Sequence, residues 1–407
     1  MALANTLITD DIIAALAVRE LDNALVACGL IHRDYEPEFD KVGESIRIRK
    51  PVKIKSTSGA VIASTPNLLE ENETFTVASR EKVHWAFTTQ DLKMKIEDFN
   101  HRYVRPGMIS IANKIESDLL GLYTGIYNFV GTPGTTPSSI ATIGDAGQLL
   151  DEEMAPFEER ACVMGPAMQN KMTTGDLKGY FNQQLAEDLT RRGFLGQLNN
   201  TQFYMGQAVK QHTVGEYSGT PLVNGATAEG ATTINIDGWG GSNGDVVLTK
   251  GDVFTVAAVN AVNGRTYEST GSLRFFVVTA DSAQNASGES ATAVSPRVVS
   301  LADTSSKAPY ATIDVLPADN AAITIKTGAS QSQHPQNLMF HPDAFALATI
   351  PLDVPRSAVY GASVTYKGLN VRLYSYLDGT NDEENYRLDV LYGVHTINAP
   401  LGVRITG

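Results

Sequence analysis

The chain has 407 residues, of which 43% are hydrophobic, 8% aromatic and 19% charged, a composition that builds packed cores and excludes both intrinsic disorder and a fibrous repeat. That length exceeds one ordinary core and accommodates two or three domains. A formal net charge of −13 argues against a protein that grips nucleic acid, which needs clustered Lys and Arg to neutralise phosphates, but not against one that merely encloses DNA.

No basic segment precedes the apolar stretch 12–18, which Arg19 and Glu20 interrupt, so no signal peptide is expected. No apolar run reaches the roughly 18 residues that a membrane span needs, and the chain is expected to be made in a cytoplasm. Cys28 and Cys162 lie far apart among small or apolar neighbours. They are expected as buried free thiols rather than a disulfide, and two cysteines alone do not make a metal site.

In chain order, Ile12, Ile13, Leu16, Leu21, Leu25 and Val26 fall near helical spacing behind Thr9 or Asp10 as a cap, which predicts an amphipathic N-terminal arm. The pattern then alternates through Ser45, Ile46, Arg47, Ile48 and Arg49 and, beyond Pro51, through Val52, Lys53, Ile54 and Lys55. These read as strands with a charged face. With the later run through Phe75, Val77, Val83, Trp85 and Phe87 they predict a long β-hairpin. Pro106 suits a first helical position, and Met108, Ile111, Ala112, Ile115, Leu119, Leu122, Tyr123 and Ile126 follow one face. A continuous helix over 106–127 would be a spine about 33 Å long. After the turn Gly131-Thr132-Pro133-Gly134, a shorter helix carries Ile143, Ala146, Leu149, Leu150 and Met154, the run 160–164 reads as a buried strand, and a third helix is expected after Thr173 or Thr174 towards Arg192.

From 222 to 333 the chain turns to Ala, Ser, Thr, Gly, Asn and Val. The β-rich pieces 246–248, 253–256, 273–278, 297–301 and 323–325 predict a small sandwich or barrel. From 334 the character is mixed again, with strands at 369–373, 386–394 and 403–405. The overall reading is α+β, with an all-β block inserted between two mixed segments.

Gly240-Gly241-Ser242-Asn243-Gly244 matches the spelling of a nucleophile elbow, but a strand is expected after Ser242 where an elbow needs a helix, so a solvent turn is favoured. The seven histidines are scattered, His334 and His341 being the closest pair in sequence, and no zinc, Walker or dinucleotide signature is present. Acidic clusters such as Glu70-Glu71, Asp151-Glu152-Glu153 and Asp382-Glu383-Glu384 read as solvated faces before they read as a glycosidase pair. No catalytic, cofactor or metal site is expected. The informative charge pattern is basic: Lys41, Arg47, Arg49, Lys50, Lys53 and Lys55 reverse the sign of an acidic chain. They protect an edge strand from unwanted pairing, or they meet the acidic surface of a neighbouring copy, where charge fixes register. Nucleic-acid binding ranks below both, since no aromatic residues interleave with the charges.

The order of amphipathic arm, charged hairpin, spine helix, mixed region, inserted β block and returning strands resembles the major capsid (coat) protein of tailed double-stranded-DNA bacteriophages. The resemblance is to the Hong Kong 97-type fold in the version carried by short-tailed Salmonella-type phages, whose coat protein has an inserted domain. In sequence it rests on Asn337-Leu338-Met339-Phe340-His341-Pro342-Asp343-Ala344-Phe345-Ala346-Leu347-Ala348-Thr349 and Arg387-Leu388-Asp389-Val390-Leu391-Tyr392-Gly393-Val394, with Met1-Ala2-Leu3-Ala4-Asn5 and Lys250-Gly251-Asp252-Val253-Phe254. It implies an N-arm over 1–34, an E-loop over 35–89, a peripheral domain with spine helix and the first part of the axial domain over 90–221, an inserted all-β barrel domain over 222–333, and the returning axial and peripheral strands over 334–407.

It further implies a non-enzymatic protein that self-assembles as hexamers and pentamers into an icosahedral shell around packaged DNA, without sequence-specific binding. Scaffolding protein, portal protein and decoration proteins are the implied partners, the virion is the location, and the host bacterial cytoplasm is the place of assembly. The version with an inserted domain is not known for the Lys–Asn cross-link of some relatives, so no cross-linking residues are assigned. Arg47, Arg49, Lys53 and Lys55 are the candidates for intersubunit contact. The alternatives are an encapsulin-type cellular compartment and, in another class, a hydrolase built on Ser242 or on paired carboxylates.

Overall fold

The computed structural model describes residues 17, 25–33, 35, 45–50, 52–54, 69–88, 103–175, 196–356, 358, 360–366 and 369–407. The chain divides into two compact units, one formed by 1–48, 74–119 and 345–395, the other by 49–73, 120–344 and 396–407.

In the first unit the long strand Glu383–Thr396 pairs with Leu369–Asp378, Phe345–Ile350 and Ser79–Thr88, and Tyr360–Tyr366 extends the sheet beyond Leu369–Asp378. The antiparallel register from Glu383 opposite Thr88 to Tyr392 opposite Ser79 removes Val83, Trp85 and Phe87 from the predicted hairpin. Only Ser45–Arg49 and Asn72–Thr76 pair with one another. The reason is backbone satisfaction: Glu383–Thr396 offers Ser79–Thr88 an unbroken ladder, whereas the first leg of the arm is interrupted by Pro51.

The helix α1 (Arg105–Leu120) begins where Pro106 predicts and buries Gly107, Met108, Ile111, Ala112, Ile115, Glu116 and Leu119 along one stripe. Trp85 lies against it so closely that a Cβ at Gly107 would come within 2.9 Å of the indole. The α-helix is about 24 Å long, because the chain tightens into the 3-10 turn Gly121–Gly125 instead of continuing to 127. Glycines at both ends of that turn weaken an α-helical continuation by about 1 kcal/mol each. Of the predicted N-terminal helix, Ala17 is helical and buried, Leu25 is buried, and the segment ends in the 3-10 turn Ala27–Leu30; residues 9–16 and 18–24 lie outside the described residues. The buried Glu116 carboxylate accepts the Ala27 N–H at 2.9 Å, and burial pushes the neighbouring Cys28 thiol up to about 12.

The second unit holds a mixed sheet in the order Phe129–Val130, Gly402–Thr406, Gln333–Phe340, Arg160–Met164, Thr201–Met205, Gln197–Leu198. Helix α2 (Ile140–Glu152), capped by Ser139, and helix α3 (Pro166–Thr174) supply Ile143, Ala146, Leu150, Met168 and Met172 to one core with Cys162, Met164, Phe203, Met339, Val403 and Ile405. Both cysteines are free and buried. The third helix thus ends at the residues where it was expected to start. Gly175 closes it, where a Cβ would lie 2.6 Å from the Ser138 carbonyl oxygen, and 176–192 lie outside the described residues. Arg160 opens a fully buried strand because its guanidinium is satisfied by Asp151 at 2.6 Å and the carbonyls of Pro156 and Ala155 at 2.8 and 2.9 Å.

The inserted block is a six-stranded sheet in the order Ile323–Ile325, Val253–Val262, Ser269–Val278, Ser290–Val298, Ala231–Trp239, Gly219–Val223. Its two edges meet: Leu222 bridges Ala322, and Val223 donates to the Ala321 carbonyl at 3.0 Å. The sheet is therefore a small closed barrel, which leaves no open edge. Ile234, Ile236, Trp239, Phe254, Val256, Phe276, Val278, Val294 and Val298 fill it. Of its strands, Gly219–Val223 and Ala231–Trp239 escape the sequence reading because threonine, glycine, proline and aspartate dilute their alternation, Ser290–Val298 is met only at its end by the predicted 297–301, and the predicted 246–248 pairs outside this sheet with Ser282–Ala283.

The first unit also contains a buried charge cluster. Asp389, with no exposed surface, accepts Arg372 in two parallel bonds at 2.9 and 2.7 Å, Arg80 Nε at 3.1 Å, and has Arg387 at 3.3 Å. Burial raises the carboxyl pKa, but the bonds from Arg372 and Arg80 outweigh that and hold it below the ordinary aspartate value. Because the folded value lies below the unfolded value of about 3.9, this stabilisation is complete above about pH 5 and is lost as pH falls through the folded value. Asp389→Asn is expected to lower stability at pH 7 by about 3 kcal/mol, since the buried Arg372 loses its counter-charge. In denaturant melts, its acid limb between about pH 5 and 3 is expected to be flatter than that of the native chain.

Candidate assembly surface

Two short connectors join the inserted barrel to the mixed sheet, and they run side by side. Gln211–Thr213 pairs antiparallel with the start of Gln333–Phe340, so that His212 stands opposite His334. Asp252, at the start of the barrel's second long strand and with no exposed surface, bonds both connectors. One carboxylate oxygen accepts His212 Nε2 at 2.9 Å and Thr327 Oγ1 at 2.8 Å. The other accepts the Gly215 N–H at 3.0 Å, the Thr249 N–H at 2.8 Å and Thr249 Oγ1 at 3.1 Å. Burial pushes this carboxyl up, yet the donors, His212 foremost, bring it below its usual value. Tyr123 sits 3.1 Å from the other ring nitrogen of His212.

The turn before Asp252 is held as well. Gly251 has φ +102°, where a side chain is strained, and a Cβ there would approach Thr124 and His212 at 3.0 and 3.2 Å. Its carbonyl accepts Arg404 Nη1 at 2.8 Å. Arg404 is fully buried, stacked within 5.6 Å of Tyr123 and 5.8 Å of Phe129. Burial lowers its pKa to about 10.

The basic arm starts from Ser45–Arg49, where Ile46 and Ile48 are buried while Arg47 and Arg49 are exposed. Neither arginine has an ion-pair partner among the described residues. Lys50 pairs with Glu73 at 2.6 Å. Lys53 is exposed, but its ammonium lies 5.9 Å from the ring centroid of Tyr310 in the inserted barrel. Lys41 and Lys55 lie outside the described residues. The four candidates are thus dispersed: two outward on one strand, one on an aromatic ring of its own chain, one not described.

The model of the family described as P22 coat protein, gene protein 5, matches residues 1–407. The chain belongs to the P22 coat protein family. Among solved structures, Mycobacterium phage Che8 is similar with a TM-score of 0.51 at 12% identity, over 94% of this chain and 90% of that one, a likeness of fold. The mature capsid of bacteriophage PhiM1 follows with a TM-score of 0.43 at 11% identity, over 90% and 82%. The CUS-3 coat protein I-domain matches over 27% of this chain and 97% of its own length at 28% identity, with a TM-score of 0.21. No curated protein matches.

The chain is therefore a major capsid protein of the α+β Hong Kong 97-type fold, a structural component that assembles with copies of itself into the phage shell. It is not an enzyme, and the compartment and hydrolase readings fall away. Ser242 lies in an exposed turn between Ala231–Trp239 and Val246–Leu248, with its N–H on Asp245 at 2.6 Å and its carbonyl accepting Gln284 at 2.7 Å. A strand follows it, and an elbow serine would precede a helix. His334 and His341 are not a pair: His334 faces His212, and His341 accepts the Asp343 N–H at 3.3 Å. Among the described residues no three His, Cys, Asp or Glu converge as a metal site.

Sequence reasoning missed the Asp252 seat, although Lys250-Gly251-Asp252-Val253-Phe254 was in view; a glycine and an acid opening an apolar strand was the available signal. Asp252→Ala is expected to cost about 3–5 kcal/mol, by leaving the buried Arg404 without the charge of Asp252 and several donors without an acceptor. Denaturant titration of the purified subunit measures this loss. Ser242→Ala is expected to leave shell yield and the subunit's melting temperature unchanged, checked by sedimentation of assembled particles.

Proposed function

We propose that the subunit builds an icosahedral shell from hexamers and pentamers, assembled in the host cytoplasm with a scaffolding protein and a portal protein and open to decoration proteins on its outside. In this reading 1–34 is the N-arm, 35–89 the E-loop, 90–221 and 334–407 the peripheral and axial domains, and 222–333 the inserted domain. The shell encloses double-stranded DNA without reading its sequence, in keeping with a net charge of −13 and with the absence of aromatic residues among the arm's charges.

The observation that carries the contact part of this reading is the outward pair Arg47 and Arg49 on a strand whose other face is buried. In an acidic chain, exposed cations with no ion-pair partner among the described residues are complementary to the acidic surface of the next copy, and such charges set encounter rate and register more than affinity. Arg47 and Arg49, with Lys55, are the residues assigned to that contact. Lys53, whose ammonium lies over the Tyr310 ring of its own chain, is assigned to the same contact.

Changing Arg47 and Arg49 together to Glu is expected to leave the melting of the unassembled subunit within about 1 kcal/mol of the native chain, since exposed charges contribute little to a fold. Assembly at low ionic strength is expected to slow and to yield aberrant particles. Salt is expected to rescue it partly, because the Debye length falls from about 10 Å at 0.1 M to about 3 Å at 1 M. Light scattering against salt, with imaging of the products, reads this; normal shells at low salt would leave edge-strand protection as the role of these arginines.

A further inference from the structure

The arm is held at its neck by the inserted barrel of its own chain. Tyr310, at the end of the 3-10 turn Ala308–Tyr310, donates its hydroxyl to the Leu69 carbonyl at 2.7 Å and accepts the Lys53 N–H at 3.3 Å. One oxygen therefore bonds both legs of the arm. On the same side Arg297 pairs with Glu71 at 2.7 Å, and between the legs the Lys50 N–H donates to the Glu71 carbonyl at 2.9 Å. These attachments fall in a short span, residues 50 and 53 on one leg and 69 and 71 on the other, where the strand pairing of Ser45–Arg49 with Asn72–Thr76 ends. Tyr310 and Arg297 take over where the ladder stops.

We propose that Tyr310 and Arg297 form a clamp that fixes the two legs of the arm, at residues 50–53 and 69–71, against one surface, so that the inserted barrel is the positioning surface of the arm's neck. No single contact is strong. The Arg297 and Glu71 side chains are 35% and 23% exposed, which leaves their pairing worth little by itself, and the Tyr310 hydroxyl makes two ordinary bonds. Their effect comes from place: fixing both legs at one point removes the freedom of a splayed neck, which a hairpin with two strands alone does not resist. The clamp borders a cleft of about 620 Å³ lined by Lys53, Glu71, Arg274, Pro296, Arg297 and Tyr310. It can therefore open into existing space without unpacking the barrel core. A shell subunit occupies several slightly different environments, and a neck held by modest, separable contacts lets the arm be re-aimed while both legs stay folded. The proposal goes beyond the intersubunit reading and does not depend on it, because the clamp is a property of the unassembled chain.

The test is limited proteolysis of the full-length subunit, kept below the concentration at which it assembles. Trypsin cleavage after Lys53 and Lys55 is followed beside the melting curve. Tyr310→Phe keeps the ring and removes both bonds of the hydroxyl; Arg297→Glu sets like charges against each other; Arg297→Glu with Glu71→Arg restores an opposed pair in reverse. Each single variant is expected to raise the cleavage rate about five- to tenfold, the factor that roughly one kcal/mol of local interaction controls, with the melting temperature unchanged. The double exchange is expected to return the rate to that of the native chain. Native cleavage rates in both single variants, or a double exchange as labile as Arg297→Glu alone, would overturn the clamp. Should Arg297→Glu impair folding, Tyr310→Phe and the double exchange carry the decision by the same two readouts.

Discussion

A carboxylate with no access to water, bonded by five donors from four positions in the chain, is what the second unit is built on. Asp252 takes His212 and Gly215 from the connector entering the inserted barrel, Thr327 from the side that leaves it, and Thr249 from its own turn. Burying an unpaired carboxylate is costly enough that it would protonate or draw in water. Meeting that cost through donors on both connectors means that neither connector can move without exposing it. Arg404 adds the nearby opposite charge and grips the Gly251 carbonyl from the mixed sheet. The barrel's attachment thus combines this polar seat with a small apolar cluster in which Val253 and Val277 of the barrel pack on Tyr127 and Phe129.

The same device recurs in each internal block that carries the family resemblance. Asn337, 1% exposed, accepts the Gly165 N–H at 2.7 Å and donates to the Ile405 carbonyl at 3.0 Å, cross-stitching three strands of the mixed sheet. Asp389 gathers Arg372, Arg80 and Arg387 in the first unit. Asp252 seats the barrel. A buried polar residue demands particular partners at particular positions, whereas an apolar core accepts many residues of similar volume. Segments built around such residues therefore leave a recognisable spelling, and the barrel interior of valines and phenylalanines does not.

The basic arm divides by environment. Alternation along Ser45–Arg49 puts isoleucines inward and arginines outward, as a two-residue period requires. Beyond Lys50 the chain leaves the ladder, and its contacts are made by the barrel. Charge sign was readable from the residues; that Tyr310, some 250 residues away in the chain, is the ring beneath Lys53 was not, because nothing local to either residue encodes the meeting.

Periodicity sufficed for the parts whose burial is decided locally: the stripe of α1, the core-facing residues of α2, the strand 160–164, and the change to an inserted all-β block between mixed segments. Tertiary structure decided what depends on distant partners. Ser79–Thr88 left the predicted hairpin because Glu383–Thr396 offers it an unbroken ladder. The barrel closes because Leu222 reaches Ala322 across its edges. Asp252 reads as an ordinary loop acid until four other positions converge on it. Local sequence specifies which face of an element is apolar, since that depends on spacing within the element; which element covers that face, and which donors reach a buried carboxylate, is set only when distant segments compete for the same backbone and side-chain groups in the folded chain.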